Sequence, residues 1–274
     1  MDKKTECRNT LRIVCVHNTM NCSWKEICAS KAVILGLKRY SFRREYAATK
    51  LSQVGFTDIE LVDAFDGFYG DVDTALRELG LQFIPTLGPG HKGCCYSHIR
   101  AWKQMIDDNV PYRIFFEDDV LPNANMHVIG EEYWKKTPKD FDILFFGNEM
   151  NPDDTKVTLS TEHVLVSPCY CLHAYMLSRT GAIKLFNMFQ QEKPTRMIDM
   201  QIKYWQDKNT IRWYCWNGNI QQKSYPTYST DLPWQFFLDI ITPGRDTGIF
   251  FQNMRVGTTL EEKELFIPQL RLKT

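Results

Sequence analysis

Three consecutive acids, Glu117, Asp118 and Asp119, follow directly on Ile114, Phe115 and Phe116. The apolar run, with Pro111 ahead of it, has the profile of a short buried strand. Adjacent carboxylates repel one another and resist desolvation, so packing gives no reason for them at a strand mouth. A divalent cation reverses that cost, because hard cations take carboxylate oxygens. Strand alternation predicts Glu117 and Asp119 on one side and Asp118 on the other, so that one site receives two carboxylates. The plainer reading is an acidic turn after a strand, and the triplet alone does not decide.

Other residues suited to chemistry recur at the ends of predicted elements. Lys38, Arg39, Arg43 and Arg44 lie where a strand gives way to a helix. Cations at such a junction suit an anion such as a diphosphate, and a solvated basic face is the alternative. Asp66 follows a third strand, and Glu149 follows the run Phe141 to Phe146. Ser97 and His98 fall in the first turn of a helix predicted from Cys94 to Asp107. A histidine there is either a satisfied structural residue or one whose pKa the helix dipole lowers. Cys94 and Cys95 read as packing thiols.

The elements that must position these residues alternate. Strands are predicted at Leu11 to His17, Ala32 to Leu37, Ile59 to Val62, around Ile114, at Phe141 to Phe146, Val164 to Val166 and Leu172 to Leu177. Residues 18–30 read as a polar link. A helix capped by Ser41 runs to about Val54 and closes at Gly55. Further helices are expected at 71–80, at 94–107, after the cap Ser178, and from near Asp199. Residues 84–93, rich in Pro and Gly, and 151–162 read as loops. Strand–helix alternation implies an α/β domain with a mostly parallel sheet and right-handed crossovers. Ligands on such sheets sit at the carboxyl ends of the strands. The cations after Leu37, Asp66, the acids 117–119 and Glu149 all fall at such ends. The last third is irregular and rich in aromatics, Trp205 to Phe237.

The formal net charge of zero over 274 residues argues against an obligate nucleic-acid partner. No segment has the length and apolarity of a transmembrane helix. The charged start, Met1 to Glu6, is followed by no apolar run with a cleavage site, so a cytoplasmic protein is expected. Nine cysteines without paired CxxC units give little support for structural zinc. The cluster of four cysteines from Cys7 to Cys28 is the place for a disulfide if the compartment is oxidising.

Several segments together resemble glycosyltransferase family 25. They are AVILGLKRYSFRRE (Ala32 to Glu45), VDAFDG (Val62 to Gly67), GCCYSHIRAW (Gly93 to Trp102), FFEDDV (Phe115 to Val120), AYMLSRTGAIKL (Ala174 to Leu185) and Ile198-Asp199. The resemblance spans about residues 31–230 and includes lipopolysaccharide-type and procollagen galactosyltransferases. It implies a GT-A-like, Rossmann-type fold, an inverting transfer from a nucleotide sugar, usually UDP-linked, and a manganese or magnesium ion. Residues 31–150 are then the nucleotide-sugar half and 151–274 the acceptor half of one domain, with 1–30 an extension of unassigned role. The acceptor is a hydroxyl of a glycan or a hydroxylated protein.

The resemblance implies a role for each candidate. Asp119 binds the metal, Glu117 the ribose or a metal-bound water, and Asp118 the donor sugar. Leu37, Arg39, Arg43, Arg44 and Asp66 lie near the nucleotide, and Ser97 and His98 support the donor loop. An inverting displacement needs a carboxylate opposite the leaving group, which excludes the metal ligand Asp119. Asp199 is the expected base, with Glu149 next and Asp66 after it. Two other functions stay open. One is an inactive member binding a glycan or partner through the aromatic third, and the other is a metal-dependent phosphohydrolase.

Overall fold

The computed structural model describes residues 22–83, 86–148, 158–161, 163–217 and 250–252. The predicted strand at Leu11 to His17, together with Glu149, Asp153, Asp154 and most of the aromatic third, lies outside them.

The apolar run AVILGL forms strand β1 (Ala32–Leu37). It is buried on both faces, because Val33 and Leu35 enter one hydrophobic cluster and Ala32 and Ile34 another. That is the position of a central strand covered by helices on either side. Strand β2 (Ile59–Ala64) pairs with it in parallel, and β3 (Tyr112–Glu117) pairs in parallel on its other edge. The sheet continues through β8 (Ala174–Ser178), β5 (Ile143–Phe145), β9 (Trp213–Trp216), β7 (Val164–Val166) and β6 (Thr158–Thr161). The ladders make β8 antiparallel to β3 and β5, and β7 antiparallel to β9 and β6. The other strands all point one way, so the α/β sheet is mixed but mostly parallel in direction. A small second sheet pairs β4 (Val120–Pro122) with β10 (Phe250–Gln252).

Helices α1 (Trp24–Cys28), α2 (Ser41–Gln53) and α5 (Met126–Lys136) cover one face. Helices α3 (Val72–Glu78), α4 (Pro89–Asp107), α6 (Arg179–Gln191) and α7 (Ile198–Asp207) cover the other. Several elements depart from the expectations. Residues 18–30 are not simply a polar link, since α1 buries Trp24, Ile27 and Cys28. Ser23 makes a capping box with Glu26 that starts this short helix. Ser41 is not the cap of α2. A 3-10 turn at Lys38–Tyr40 runs directly into the helix, so Ser41 already has helical angles. Part of the predicted loop 151–162 is strand β6.

The largest difference is the start of α4, at Pro89 rather than Cys94. Proline is pre-organised for a first helical position, where its missing N–H costs nothing. Gly67 and Gly93 let this helix touch the turn after β2. A Cβ on Gly67 would lie 1.8 Å from the Pro89 carbonyl oxygen, and one on Gly93 would lie 2.7 Å from that of Phe65.

Candidate functional site

Strands β2, β1 and β3 are parallel neighbours, so their carboxyl ends share one edge of the sheet. A cavity of about 510 Å³ lies there. Leu37, Arg39 and Arg43 line it from the end of β1 and the start of α2, and Asp66 lines it from the turn after β2. Glu117, Asp118 and Asp119 line it from the end of β3, and Ser97 and His98 line it from α4. Nine candidates from separate stretches of chain thus meet at one place. Arg44 is not in the wall; it is buried and pairs with Asp63 Oδ1 at 2.6 Å. Asp199 is not in the wall either. Glu149 is outside the described residues.

The acids do not alternate as a strand would place them. Strand β3 ends at Glu117, and Asp118 and Asp119 form a turn. Both turn residues face Arg43, whose Nη2 is 2.6 Å from Asp118 Oδ1 and 3.7 Å from Asp119 Oδ2. Glu117 instead meets His98, with Oε1 3.1 Å from Nε2. Burial is the main cause that pushes the Asp118 carboxyl up to about 7, opposed by Arg43 and assisted by the charges of Asp119 and Glu117. Burial also acts to raise Glu117. There the hydrogen bond and charge of His98, with help from His173 and Arg43, outweigh it and hold the carboxyl below its ordinary value. Two neighbouring carboxylates in one cavity therefore differ in protonation near neutral pH, and the difference comes from their partners.

Because α4 begins at Pro89, His98 stands in its third turn, not its first. The dipole argument does not apply there, and a hydrogen-bond chain holds the ring instead. Trp102 Nε1 donates to the Tyr175 hydroxyl at 2.7 Å, and that oxygen is 2.9 Å from His98 Nδ1. Tyr175 at Nδ1 and Glu117 at Nε2 thus hold the ring from both of its nitrogens. Ser97 is committed to the fold. Its hydroxyl donates to Gly93 O at 2.6 Å and accepts from Phe65 N at 2.8 Å, tying the turn after β2 to α4.

Arg39 pairs with Asp66 across the mouth of the cavity, and its guanidinium lies 5.0 Å from the Tyr40 ring centre and 5.1 Å from that of Tyr69. Phe68 lines the mouth and is 69% exposed, while Tyr69 beside it is 84% exposed. Large exposed aromatics at a cavity mouth are suited to stacking. The sequence reading missed them because a single F-Y pair in a turn has no periodicity. It also missed Cys94, which is exposed and lines the cavity, whereas Cys95 is a buried packing thiol. The spacing from Cys94 to His98, one helical turn, was the available signal.

Asp199 lies in the first turn of α7, where Met197 occupies the cap position. Its Oδ2 accepts from Cys171 N at 3.3 Å. Its charge helps to raise the pKa of the buried Cys95 thiol, after the larger effect of burial, so it stands within electrostatic reach of α4. No described helix is long and apolar enough to cross a membrane.

The model of Glycosyltransferase family 25 (LPS biosynthesis protein) matches residues 29–202, and the chain belongs to this family. It is 28% identical over 166 residues to a Bos taurus protein named "Probable inactive glycosyltransferase 25 family member 3", covering 56% of this chain and 28% of that protein. It is 33% identical over 113 residues to "Lacto-N-neotetraose biosynthesis glycosyltransferase LgtB" of Neisseria meningitidis serogroup B, covering 39% of this chain and 38% of that one. Both matches thus span well under half of the relative's length. A solved glycosyltransferase involved in glycosylation of the major capsid of PBCV-1 aligns with a TM-score of 0.46 at 9% identity, covering 88% of this chain and 99% of that chain.

Proposed function

We propose that the chain carries out an inverting, metal-dependent transfer of a hexose from a UDP-sugar to a hydroxyl of a glycan or protein acceptor. The observation that carries this reading is the meeting of Arg39, Arg43 and the acids 117–119 at three parallel strand ends in one cavity. Its volume, about 510 Å³, is within the range that holds a small molecule. Residues 31–150 form the nucleotide-sugar half, with the GT-A-like arrangement of ligand over strand ends. Residues 151–274 serve the acceptor.

Arg43 reaches the diphosphate from within the cavity, and Arg39 closes on it from the mouth. Tyr40 and Phe68 offer faces to the base. Asp118, with its carboxyl pushed up to about 7, can donate as well as accept toward a sugar hydroxyl. The donor set fits a hard cation, because the carboxylates of Asp119 and Glu117 both open onto the cavity. Those two residues would hold manganese or magnesium, which supplies charge neutralisation at the leaving diphosphate when bound. Asp199 takes the proton of the acceptor hydroxyl, and Glu149 is the next choice for that role.

The bovine relative's name supports a second reading, an inactive member that binds a glycan or partner. One experiment separates them. The protein is incubated with a panel of UDP-hexoses, manganese and candidate acceptors, and UDP release and sugar transfer are both followed. We expect turnover with at least one donor, lost in Asp119→Ala with melting unchanged. Asp199→Asn should lower transfer by about two to four orders of magnitude while UDP affinity holds. UDP binding without turnover of any donor would favour the inactive reading. Near-normal transfer by Asp199→Asn would move the base to Glu149.

A further inference from the structure

We propose that Cys94, His98 and Glu117 form a second cation site, for a borderline-soft divalent ion of which zinc is the type. Their ligand atoms, a thiol sulfur, an imidazole nitrogen and a carboxylate oxygen, all lie within 4.8 Å of one another. Cys94 and His98 are one turn apart on α4, so they project from the same helix face. Glu117 arrives from the end of β3, and all three line the cavity. Ligand atoms around tetrahedral zinc stand roughly 3.3 to 3.8 Å apart, as its bond lengths of about 2.0 to 2.3 Å require. His98 Nε2 and Glu117 Oε1 are already 3.1 Å apart. Cys94 Sγ lies within 4.8 Å of both, about 1 to 1.5 Å beyond the spacing of a bound pair at most.

The ligand set selects the ion. A thiolate and an imidazole suit zinc or cobalt, whereas magnesium and manganese prefer oxygen alone. Ionised Cys94 and Glu117 together balance the charge of a divalent ion. The ring of His98 already has an outer partner of the kind that metal-bound histidines use. Tyr175, fixed by Trp102, is a hydroxyl and can accept from Nδ1–H once Nε2 is occupied. Three protein ligands leave the fourth position open to the cavity, as in zinc sites that exchange a water or ligand. Glu117 is common to this site and to the hard-cation site, so the two ions exclude each other at that residue. The inference rests on ligand geometry and not on the transferase reading.

The test titrates the metal-free 274-residue chain with cobalt and follows its visible d–d bands and its near-ultraviolet thiolate-to-cobalt charge-transfer band. We expect tetrahedral bands saturating at one cobalt per chain and displaced by zinc, but not by magnesium at the same concentration. Cys94→Ser should abolish the charge-transfer band and weaken zinc binding by at least about 10-fold. Cys171→Ser should leave both unchanged. Because Cys94 is exposed, the serine variant should keep its melting temperature, and His98→Gln provides a second reading at another ligand. An absent charge-transfer band, or one that survives in Cys94→Ser, would overturn the proposal. Neither result depends on whether any sugar is transferred.

Discussion

Arg43 and Arg44 are neighbours on α2, and side chains one residue apart on a helix point about 100° apart. Arg43 therefore enters the cavity, while Arg44 turns to Asp63. Arg43→Ala should weaken UDP binding by about 10- to 100-fold, the size of a lost charge-assisted hydrogen bond. Arg44→Ala should leave affinity within about 2-fold and instead lower stability, by roughly 1 to 2 kcal/mol, through lost packing of its buried stem. Calorimetric titration with UDP, on protein shown to be folded, distinguishes them, and equal losses would move the nucleotide elsewhere. Asp118 gives a second prediction at this scale. Its carboxyl is at about 7 when folded, against an ordinary 3.8. The folded state thus holds a proton that the unfolded chain releases, and stability falls as pH rises from about 4 to about 7. At most roughly 4 kcal/mol is involved. Asp118→Asn cannot lose that proton, so its stability relative to the native protein should improve steadily across this window. Denaturant midpoints at several pH values would show it, and a constant difference would count against it.

The contact between α4 and the turn after β2 positions Asp66, Ser97 and His98 together. Gly67→Ala would drive a methyl against the Pro89 carbonyl, so the turn and helix must separate. Overpacking of this kind costs about 1 to 3 kcal/mol. The variant should melt lower and also bind UDP more weakly, because Asp66 and Arg39 move with the turn. A variant that loses stability but binds UDP normally would show that the turn does not shape the nucleotide site. This contact also explains what the sequence did and did not disclose. The acids 117–119 were legible because charge at the end of an apolar strand has no packing reason. The early start of α4 was not, since Pro89-Gly90 reads as loop punctuation until the glycines are seen to admit a neighbouring backbone. The reversal of β8 was not legible either. AYMLS is buried at every position, and an evenly apolar run carries no direction. Helix α5 went unread although Met126, Ile129 and Tyr133 have helical spacing, because Gly130 interrupts the pattern. The glycine makes room for the ring of Trp24, whose Nε1 would lie 2.2 Å from an added Cβ.

That ring is a main tie across the molecule. Trp24 lies 5.0 Å from Trp216 and 5.6 Å from Phe146, centre to centre, and meets Phe56 edge-on at 6.0 Å. Its backbone N–H donates to Glu131 on α5 at 2.7 Å. One side chain from the segment before β1 thus joins β9, the end of β5, the loop before β2 and α5. The same cluster holds Phe116, the residue immediately before the acidic triplet. Residues 22–30 thus pack into the core of the domain, and altering them should affect the rest of it. Trp24→Ala should cost about 3 to 5 kcal/mol, as for other fully buried aromatics. For a domain of this size that corresponds to a melting temperature lower by roughly 6 to 20 °C. The loss should appear in one cooperative transition, reported alike by far-ultraviolet circular dichroism and by the fluorescence of the remaining tryptophans. UDP affinity of the folded fraction should change less, because the ring packs on the face of the sheet opposite α4, against Trp216, Phe146 and Phe56. A neutral substitution, or a separate early transition with the main one unmoved, would show that Trp24 does not tie these elements together.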